Sequence, residues 1–169
     1  MVSYGDHIGA KMNAIKPKMR PLKIRSGQKR DVRTQFGALC YRVQKDKVQV
    51  LLVTSRGTGR WILPKGWPMN GATPIEAAAQ EAWEEAGVEG KIVGNAIGIY
   101  SYNKLEENKD DLPCIVAIFP LKVQRLADKY PEATMRRRKW FSIEKAAAKL
   151  DEPELRQIVR NFDPRLLAR

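Results

Sequence analysis

Two apolar runs lie close together in the first half of the chain. Residues 34–43 (TQFGALCYRV) and 47–54 (KVQVLLVT) are rich in β-branched, aromatic and leucine side chains. Runs of this length and composition predict buried β-strands, and the polar residues between them predict a turn. The short run 61–63 (WIL) stops at Pro64, which predicts a third, brief strand because proline cannot donate a hydrogen bond to a sheet.

The clearest helix signals in the chain surround residues 74–86. Thr73 is a suitable N-cap, Pro74 suits the first helical position, and Glu76 stands three residues after the cap. This arrangement is typical of a capping box, and Gly87 is the usual kind of stop. We therefore predict a helix over this range, preceded by a loop that is rich in glycine and proline.

The second half of the chain has shorter and less regular signals. They predict three strands and two closing helices, near residues 91–103, 113–123, 139–141, 142–150 and 153–162. We expect the connecting segment 124–135 to be partly disordered. Strands, one helix, further strands and then C-terminal helices indicate a mixed α/β fold, with a central sheet that carries helices on both faces. The length of 169 residues suits one domain over 31–169, with 1–30 as a basic and flexible extension.

Charge is distributed unevenly along the chain. There are 31 basic and 19 acidic residues, a formal net charge of +12, and residues 1–30 alone hold eight Lys or Arg and one acid. A second basic run covers residues 136–139. Such density indicates an anionic partner, such as a phosphorylated ligand, nucleic acid or a membrane surface. A solvated tail is the simpler interpretation of residues 1–20.

Other features limit the class of protein. No apolar run reaches the roughly 18 residues that cross a bilayer, and no apolar leader precedes the predicted strands. Cys40 and Cys114 fall inside apolar, strand-like runs. We therefore expect two buried free thiols in a cytoplasmic protein that has no membrane partner. The single histidine, His7, cannot build a Ser-His-Asp triad or a histidine metal cage.

The predicted helix is acidic although the protein is basic. Residues 66–90 contain no Lys or Arg, and Glu81, Glu84 and Glu85 share one helical face at i, i+3 and i+4. Carboxylates at this spacing repel one another, and a divalent cation with oxygen ligands, Mg²⁺ or Mn²⁺, would remove that penalty. A solvated acidic face is the alternative. The preceding loop favours the metal, because Gly66 lets the backbone approach a ligand closely.

The loop and the helix together resemble a known motif. Gly66 followed by EAWEEAGV at 81–88 is similar to the box of the MutT-like Nudix hydrolase family, G-x5-E-x7-R-E-U-x-E-E-x-G-U. Further segments resemble the diphosphoinositol polyphosphate phosphohydrolase and diadenosine polyphosphate hydrolase branch: GALCYR at 37–42, VLLV at 50–53, RWILP at 60–64 and RRKWF at 137–141. The resemblance covers about residues 33–150. Two positions depart from the box, because Ala72 replaces its first Glu and Gln80 replaces its Arg.

The resemblance implies a fold, an activity and a set of site residues. The fold is the Nudix fold, an α/β/α sandwich around a central mixed sheet, and the activity is hydrolysis of a diphosphate bond with Mg²⁺ or Mn²⁺. Glu81 and Glu85 are implied as metal ligands, and Glu84 as a ligand or the general base, which makes these three the catalytic residues. In some members the base lies on a later loop, where the candidates are Glu106, Glu107, Asp110 and Asp111. A solvated loop is the simpler interpretation of that acidic group.

Cations around the acidic helix are expected to select the substrate, because guanidinium groups match phosphate oxygens. The candidate substrate-binding residues are Arg33, Arg42, Arg60, Lys65, Gly66, Arg137 and Arg138. Arg60 is the strongest candidate, since it adjoins the apolar Trp61. The charge pattern and the resemblance favour a highly phosphorylated small molecule, either a diadenosine polyphosphate or an inositol pyrophosphate.

Two other functions stay open on the sequence alone. The changes at Ala72 and Gln80 and the basic extension suit a non-catalytic Nudix module that binds a phosphorylated ligand or RNA. Removal of pyrophosphate from RNA 5′ ends combines binding and hydrolysis, because a 5′-triphosphate has the same chemistry. The sequence leaves the number of metal ions undecided, and the oligomeric state as well, monomer or homodimer.

Overall fold

A single sheet runs through the part of the chain that the computed structural model describes, residues 32–104 and 112–167. Its strands are β1 Arg33–Gln44, β2 Lys47–Thr54, β3 Trp61–Ile62, β4 Lys65–Gly66, β5 Val88–Ile92, β6 Gly98–Lys104, β7 Leu112–Leu126 and β8 Arg138–Ser142. The helices are α1 Pro74–Ala86, α2 Ile143–Lys149 and α3 Pro153–Arg160, followed by a 3₁₀ turn, Pro164–Leu166. The predicted extension 1–30 and the acidic loop with Glu106, Glu107, Asp110 and Asp111 lie outside the described residues.

Strand β1 occupies the centre of the sheet. It pairs antiparallel with β2 on one side and parallel with β7 on the other, where Arg33 lies opposite Cys114 and Tyr41 opposite Lys122. Strands β5 and β6 both pair with β7, while β3 and β8 pair with β2. Residues 35–41 are all buried, as expected for a strand that is covered on both faces. The sheet is therefore mixed, as the sequence predicted.

Alternation along the central strands divides the core into two layers. Leu39 and Tyr41 face α2 and α3, whereas Ala38 and Cys40 face α1. Because successive side chains of a strand point to opposite faces, one strand supports helices on both sides. The arrangement confirms the predicted α/β/α layering.

Helix α1 begins and ends where its sequence signals predict. The Thr73 hydroxyl accepts a hydrogen bond from the Glu76 backbone N–H at 3.2 Å, and the Glu76 carboxylate accepts one from the Thr73 N–H at 2.8 Å. Gly87 ends the helix in a left-handed conformation with φ 64°, which costs a glycine little. Local chemistry thus fixes both ends of the element that carries the acidic side chains.

Three elements differ from the sequence prediction. The strand predicted near 91–103 is two strands, β5 and β6, which are separated by a bend that contains Gly94 with φ 80°. Strand β7 extends to Leu126, beyond the predicted end near 123. The loop before α1 includes the two-residue strand β4, in which Gly66 pairs with Phe36 of β1. This pairing ties the loop to the sheet beside α1.

The prediction that segment 124–135 is partly disordered is wrong. After β7 ends, the Ala127 N–H donates to the Gly87 carbonyl at 2.8 Å, and the Glu132 N–H donates to the Glu84 carbonyl at 3.0 Å. These bonds satisfy carbonyls at the C-terminal end of α1, which have no partner within the helix. We call residues 127–137 the α1 clip. It fastens the C-terminal half of the acidic helix.

Both cysteines match their prediction. Cys40 and Cys114 are buried and free, and burial raises the pKa of the Cys40 thiol. Among the helices of the described residues, none is long and apolar enough to cross a membrane.

Candidate active site

An open cleft of about 380 Å³ lies where α1, β4 and the α1 clip meet. One wall is acidic and carries Glu81, Glu84 and Glu85 of α1, joined by Glu132 of the clip. Four cationic side chains also line the cleft, together with polar and aromatic residues: Arg56, Lys65, Lys104 and Arg136. The three glutamates that the sequence selected therefore do face one cavity, as their i, i+3, i+4 spacing predicted.

Glu85 is the most deeply placed of the three carboxylates, with 6% of its surface exposed. One carboxylate oxygen accepts a hydrogen bond from Arg136 at 3.2 Å, and the other accepts one from the Lys65 backbone N–H at 3.4 Å. Burial raises the pKa of Glu85 to about 7, although Arg136 and Lys65 act in the opposite direction. The site thus holds a desolvated carboxylate that more positive charge would stabilise.

Glu81 lies against the backbone of Gly66. A Cβ at position 66 would collide with the Glu81 carboxyl group, so only glycine leaves room for that carboxylate at its present position. Burial, followed by the charges of Glu84 and Glu132, raises the pKa of Glu81 to about 7. Gly66 therefore matters to the site through the space that it leaves, in addition to the backbone approach that the sequence suggested.

Glu84 is supported by the residue that departs from the family motif. The Gln80 side-chain amide donates a hydrogen bond to the Glu84 carboxylate at 2.7 Å, one helical turn away. Gln80 thus orients a carboxylate of the cleft, but it adds no positive charge. Ala72, the other departure, lies in the turn before α1, where its N–H donates to the Met69 carbonyl.

The donor set of this cleft suits a hard divalent cation. Glu81 and Glu85 supply carboxylate oxygens, which Mg²⁺ and Mn²⁺ prefer, and the raised pKa of both groups indicates that burial outweighs the charges of the nearby Lys65 and Arg136. Within the described residues, no three His, Cys, Asp or Glu side chains are grouped closely enough to form a metal cluster. The glutamates fit a metal by the chemistry of their oxygens and not by an observed cluster, so their ligand roles stay predictions.

A second cleft of about 480 Å³ adjoins the first and has a basic lining. Arg56, Lys65 and Lys104 face both clefts, and Arg60 joins them in the second. The Lys65 ammonium lies 4.9 Å from the centre of the Tyr102 ring, and burial lowers its pKa despite the nearby carboxylates of Glu85 and Glu152. The acidic cleft thus opens into a region suited to negatively charged ligand groups.

Arg60, the strongest substrate candidate from the sequence, is already paired. Its guanidinium donates to Asp151 at 3.0 Å and to Glu152 at 3.4 Å. Hydrogen bonding to Asp151 is the main reason why the pKa of Arg60 is raised. The residue lines the basic cleft as predicted, but two acidic neighbours already compete for its charge.

Two of the predicted substrate-binding arginines lie outside both clefts. Arg42 donates to Gln49 at 2.8 Å and stacks 4.2 Å from the Trp140 ring centre. Arg138 donates to the Ala86 carbonyl at 2.7 Å, so it stabilises the C-terminus of α1. These two predicted residues therefore have structural partners away from the two clefts, and their role in substrate binding stays a prediction.

The remaining two arginine candidates lie near the clefts without lining them. Arg137 pairs through its backbone with Thr54, and its guanidinium is 5.8 Å from the Trp61 ring centre. Arg33 is half-buried at the start of β1, two positions before Gln35 of the acidic cleft. The Nε atom of Arg33 is buried with no hydrogen-bond partner among the described residues.

The sequence did not single out two residues that are prominent in the cleft. Arg136 appeared only as one member of a basic run, and Glu132 lay in a segment predicted to be partly disordered. Their pairing at 3.0 Å follows an i, i+4 spacing, which is the one local signal that links them. The contact between Arg136 and Glu85 spans 51 positions of the chain, so local patterns could not reveal it.

Comparisons with known proteins agree with this fold. The model of the NUDIX domain family matches residues 33–162. Diphosphoinositol polyphosphate phosphohydrolase 3-alpha of Mus musculus is 30% identical over 131 residues, which covers 76% of each chain. Nudix hydrolase 16, mitochondrial, of Arabidopsis thaliana is 35% identical over 119 residues, 68% of this chain and 66% of the relative.

Solved structures show the same fold. C. elegans Ap4A hydrolase superposes with a TM-score of 0.60 at 24% identity, over 76% of this chain and 93% of that one. A NUDIX hydrolase from Nitrosomonas europaea also gives 0.60, at 23% identity, over 77% and 87% of the two chains. The chain belongs to the Nudix family. Its predicted class, a Nudix-type diphosphohydrolase, is confirmed by the family model and by relatives that are named phosphohydrolases.

Proposed function

We propose that this chain hydrolyses a diphosphate bond in a small, highly phosphorylated substrate, with the help of a divalent metal ion. One observation carries the proposal: the cleft that holds the glutamates of α1, among them the buried Glu85, shares Arg56, Lys65 and Lys104 with a second cleft that Arg60 also lines. The carboxylates suit a metal, and the cations suit the phosphates on either side of the bond to be cleaved.

Glu81, Glu85 and Glu84 would hold Mg²⁺ or Mn²⁺. When bound, such an ion lowers the pKa of water and balances the charge of phosphate oxygens. Gln80 keeps the Glu84 carboxylate in position on the exposed side of the cleft. There Glu84 can accept a proton from an attacking water.

The basic cleft would bind and orient the phosphate chain. Lys65 is well placed for this role because it borders both clefts and its ammonium is fixed over the Tyr102 ring. Lys104, whose ammonium lies 4.9 Å from the Trp67 ring centre, extends the same positive surface. Several cations around one cleft favour a substrate with several phosphates over one with few.

Two substrate classes satisfy this chemistry, diadenosine polyphosphates and inositol pyrophosphates. Relatives of this chain carry the names diphosphoinositol polyphosphate phosphohydrolase and Ap4A hydrolase, which correspond to those two classes. A single oxidised nucleotide such as oxidised dGTP is a weaker candidate, because its pocket needs few cations.

A release assay tests both the reaction and the substrate. The panel contains diadenosine tetraphosphate, an inositol pyrophosphate, GTP and a 5′-triphosphate RNA, each with Mg²⁺, with Mn²⁺ and with EDTA. We expect metal-dependent release of phosphate or nucleotide from one of the first two substrates, and none with EDTA. No turnover on any member would contradict the proposal and favour a binding module.

Substitutions on α1 connect turnover to the proposed site. Glu85→Gln and Glu84→Gln should each lower kcat by at least about 100-fold, since they remove a metal ligand or the base while retaining the side-chain shape. The control is Glu144→Gln on the exposed start of α2, which should keep wild-type kcat. Retained activity in both α1 variants would refute the assignment of the acidic wall.

The alternative of a non-catalytic RNA-binding module draws on the basic residues 1–30, which lie outside the described residues. Cleavage of the 5′-triphosphate RNA in the panel would favour the other alternative, removal of pyrophosphate from RNA 5′ ends, over the small-molecule substrates. The cytoplasmic location stays a prediction, and the choice between monomer and homodimer stays open.

A further inference from the structure

We infer that Arg136 of the α1 clip is a positioning residue that fixes the Glu85 carboxylate for metal binding. The inference rests on the proposed function, because it concerns the geometry of a proposed metal ligand. It adds a residue that lies outside the helix and outside the motif by which the family was recognised.

Arg136 makes three separate contacts through one guanidinium group. Nη2 donates to the Glu85 carboxylate at 3.2 Å, Nε donates to Glu132 at 3.0 Å, and Nη1 donates to the Thr54 carbonyl at 3.0 Å. Only 7% of the side chain is exposed. The guanidinium group is planar, and its donors point in fixed directions. Because three acceptors hold it, the Glu85 carboxylate that it contacts has little freedom to move.

The acceptors come from three different segments of the fold. Thr54 ends β2, Glu85 lies in the last turn of α1, and Glu132 belongs to the clip. Glu132 is itself anchored, because its N–H donates to the Glu84 carbonyl at 3.0 Å. Arg136 therefore links the Glu85 carboxylate of the acidic helix to the end of strand β2. Its contact with Glu132 of the clip holds the guanidinium in place.

The charge distribution of the chain makes this contact more than a packing detail. Residues 66–90 contain no Lys or Arg, so the acidic helix cannot supply a cation for its own glutamates. Gln80 stands on α1 where the motif has an arginine, but its amide is neutral and donates to Glu84. A cation for Glu85 must come from elsewhere, and in the described residues Arg136 is the one whose guanidinium pairs with it.

The direction in which Mn²⁺ affinity changes on substitution of Arg136 distinguishes a positioning role from a purely electrostatic one. The measurement is Mn²⁺ binding to the protein alone, followed by the electron paramagnetic resonance signal of free Mn²⁺. If Arg136 positions Glu85, Arg136→Gln should weaken Mn²⁺ binding about tenfold or more, as is typical when a residue that orients a ligand is lost. If Arg136 acted only as a nearby positive charge, its removal would strengthen binding. Unchanged or tighter binding overturns the inference.

Two further variants separate this effect from loss of structure. Arg156→Gln removes another partly buried arginine, one that donates to the Leu150 carbonyl on the opposite face of the sheet. It should lower the melting temperature without changing Mn²⁺ affinity. Arg136→Lys keeps the charge, but one ammonium cannot span all three acceptors, so Mn²⁺ binding should still weaken. Wild-type affinity in Arg136→Lys overturns the inference even if Arg136→Gln does not fold.

Mn²⁺ binding and turnover of the wild-type chain distinguish a failure of the positioning role from a failure of the proposed metal site. If it binds Mn²⁺ and turns over substrate while the Arg136 variants bind Mn²⁺ normally, only the positioning role fails. If the wild-type chain binds no Mn²⁺, the proposed metal site fails, and the positioning role fails with it.

Discussion

The two faces of the sheet differ in the side chains that their helices bury against it. The α2–α3 face is filled by large apolar side chains, among them Leu39, Leu52, Leu155 and Phe162. On the α1 face, the buried residues of the helix are four alanines, Ala77, Ala78, Ala82 and Ala86, together with the carboxylate residue Glu85. Both faces bury apolar side chains of the sheet, since Phe36, Leu51 and Phe119 pack on the α1 side. Among the described residues, however, the α1 face alone also buries a carboxylate, close to the backbone of the sheet.

The difference indicates where stability and chemistry reside. Burial of large apolar groups is the main favourable contribution to folding, whereas burial of a carboxylate carries a desolvation penalty even when, like Glu85, it is paired with an arginine. Small alanines let α1 approach the sheet closely, and this approach brings Glu81 against Gly66 and Glu85 against β4. The α1 face therefore carries the candidate active site, and the apolar core of the α2–α3 face contributes stability to the fold.

The largest expected effect compares two glycines, one on each face. Gly66→Ala places a Cβ where the Glu81 carboxyl group lies. We expect kcat/KM to fall about 100-fold, since a displacement of about 1 Å at a reacting site can have an effect of that size. Steady-state kinetics on the substrate identified by the release assay measures it.

Gly98→Ala is the matched control for that change. Its Cβ would meet the Ile158 side chain of α3 at 2.6 Å, so the apolar face must adjust while the acidic cleft is left alone. The melting temperature should fall and kcat/KM should stay within about twofold of wild type. Equal kinetic losses in both variants would mean that the two faces are not functionally distinct.

An intermediate effect is expected from truncation of the apolar face. Leu155 of α3 is 1% exposed within the large core cluster. Leu155→Ala should lower the free energy of unfolding by about 2–5 kcal/mol, because it removes buried methyl groups and leaves a cavity. Urea denaturation measures the loss, and kcat per folded molecule, assayed at low temperature, should be unchanged. A large drop in kcat would show that the α2–α3 face also shapes the active site.

The sequence predicted the α1 face more completely in its local features than in its long-range ones. Thr73, Glu76 and Gly87 act on neighbours within five residues, so the ends of α1 could be placed correctly from the motif alone. The i, i+3, i+4 spacing likewise placed three glutamates on one wall. Such signals need no knowledge of the remaining fold.

Contacts between segments that are distant in the sequence could not be predicted from local signals. The burial of Glu85 depends on β4 and on Arg136, which lies 51 residues away. Strand β4 is only two residues long, and its partner is Phe36 of β1, so no periodicity could indicate it. Segment 124–135 contains no apolar repeat, and it was therefore predicted to be partly disordered. Its order comes from backbone bonds to the end of α1, which composition does not encode.

The smallest expected effect lies where the two faces meet, at the ion pairs of Arg60. Arg60 lines the basic cleft, and Asp151 precedes α3 with 59% of its side chain exposed. Asp151→Asn should change the free energy of unfolding by less than about 1 kcal/mol, as exposed pairs usually do. It also frees part of the Arg60 charge for phosphate, so KM should fall about twofold, which corresponds to roughly 0.4 kcal/mol of binding. A higher KM would instead mean that Asp151 holds Arg60 in its binding orientation, and that the apolar face helps to position a substrate-binding group.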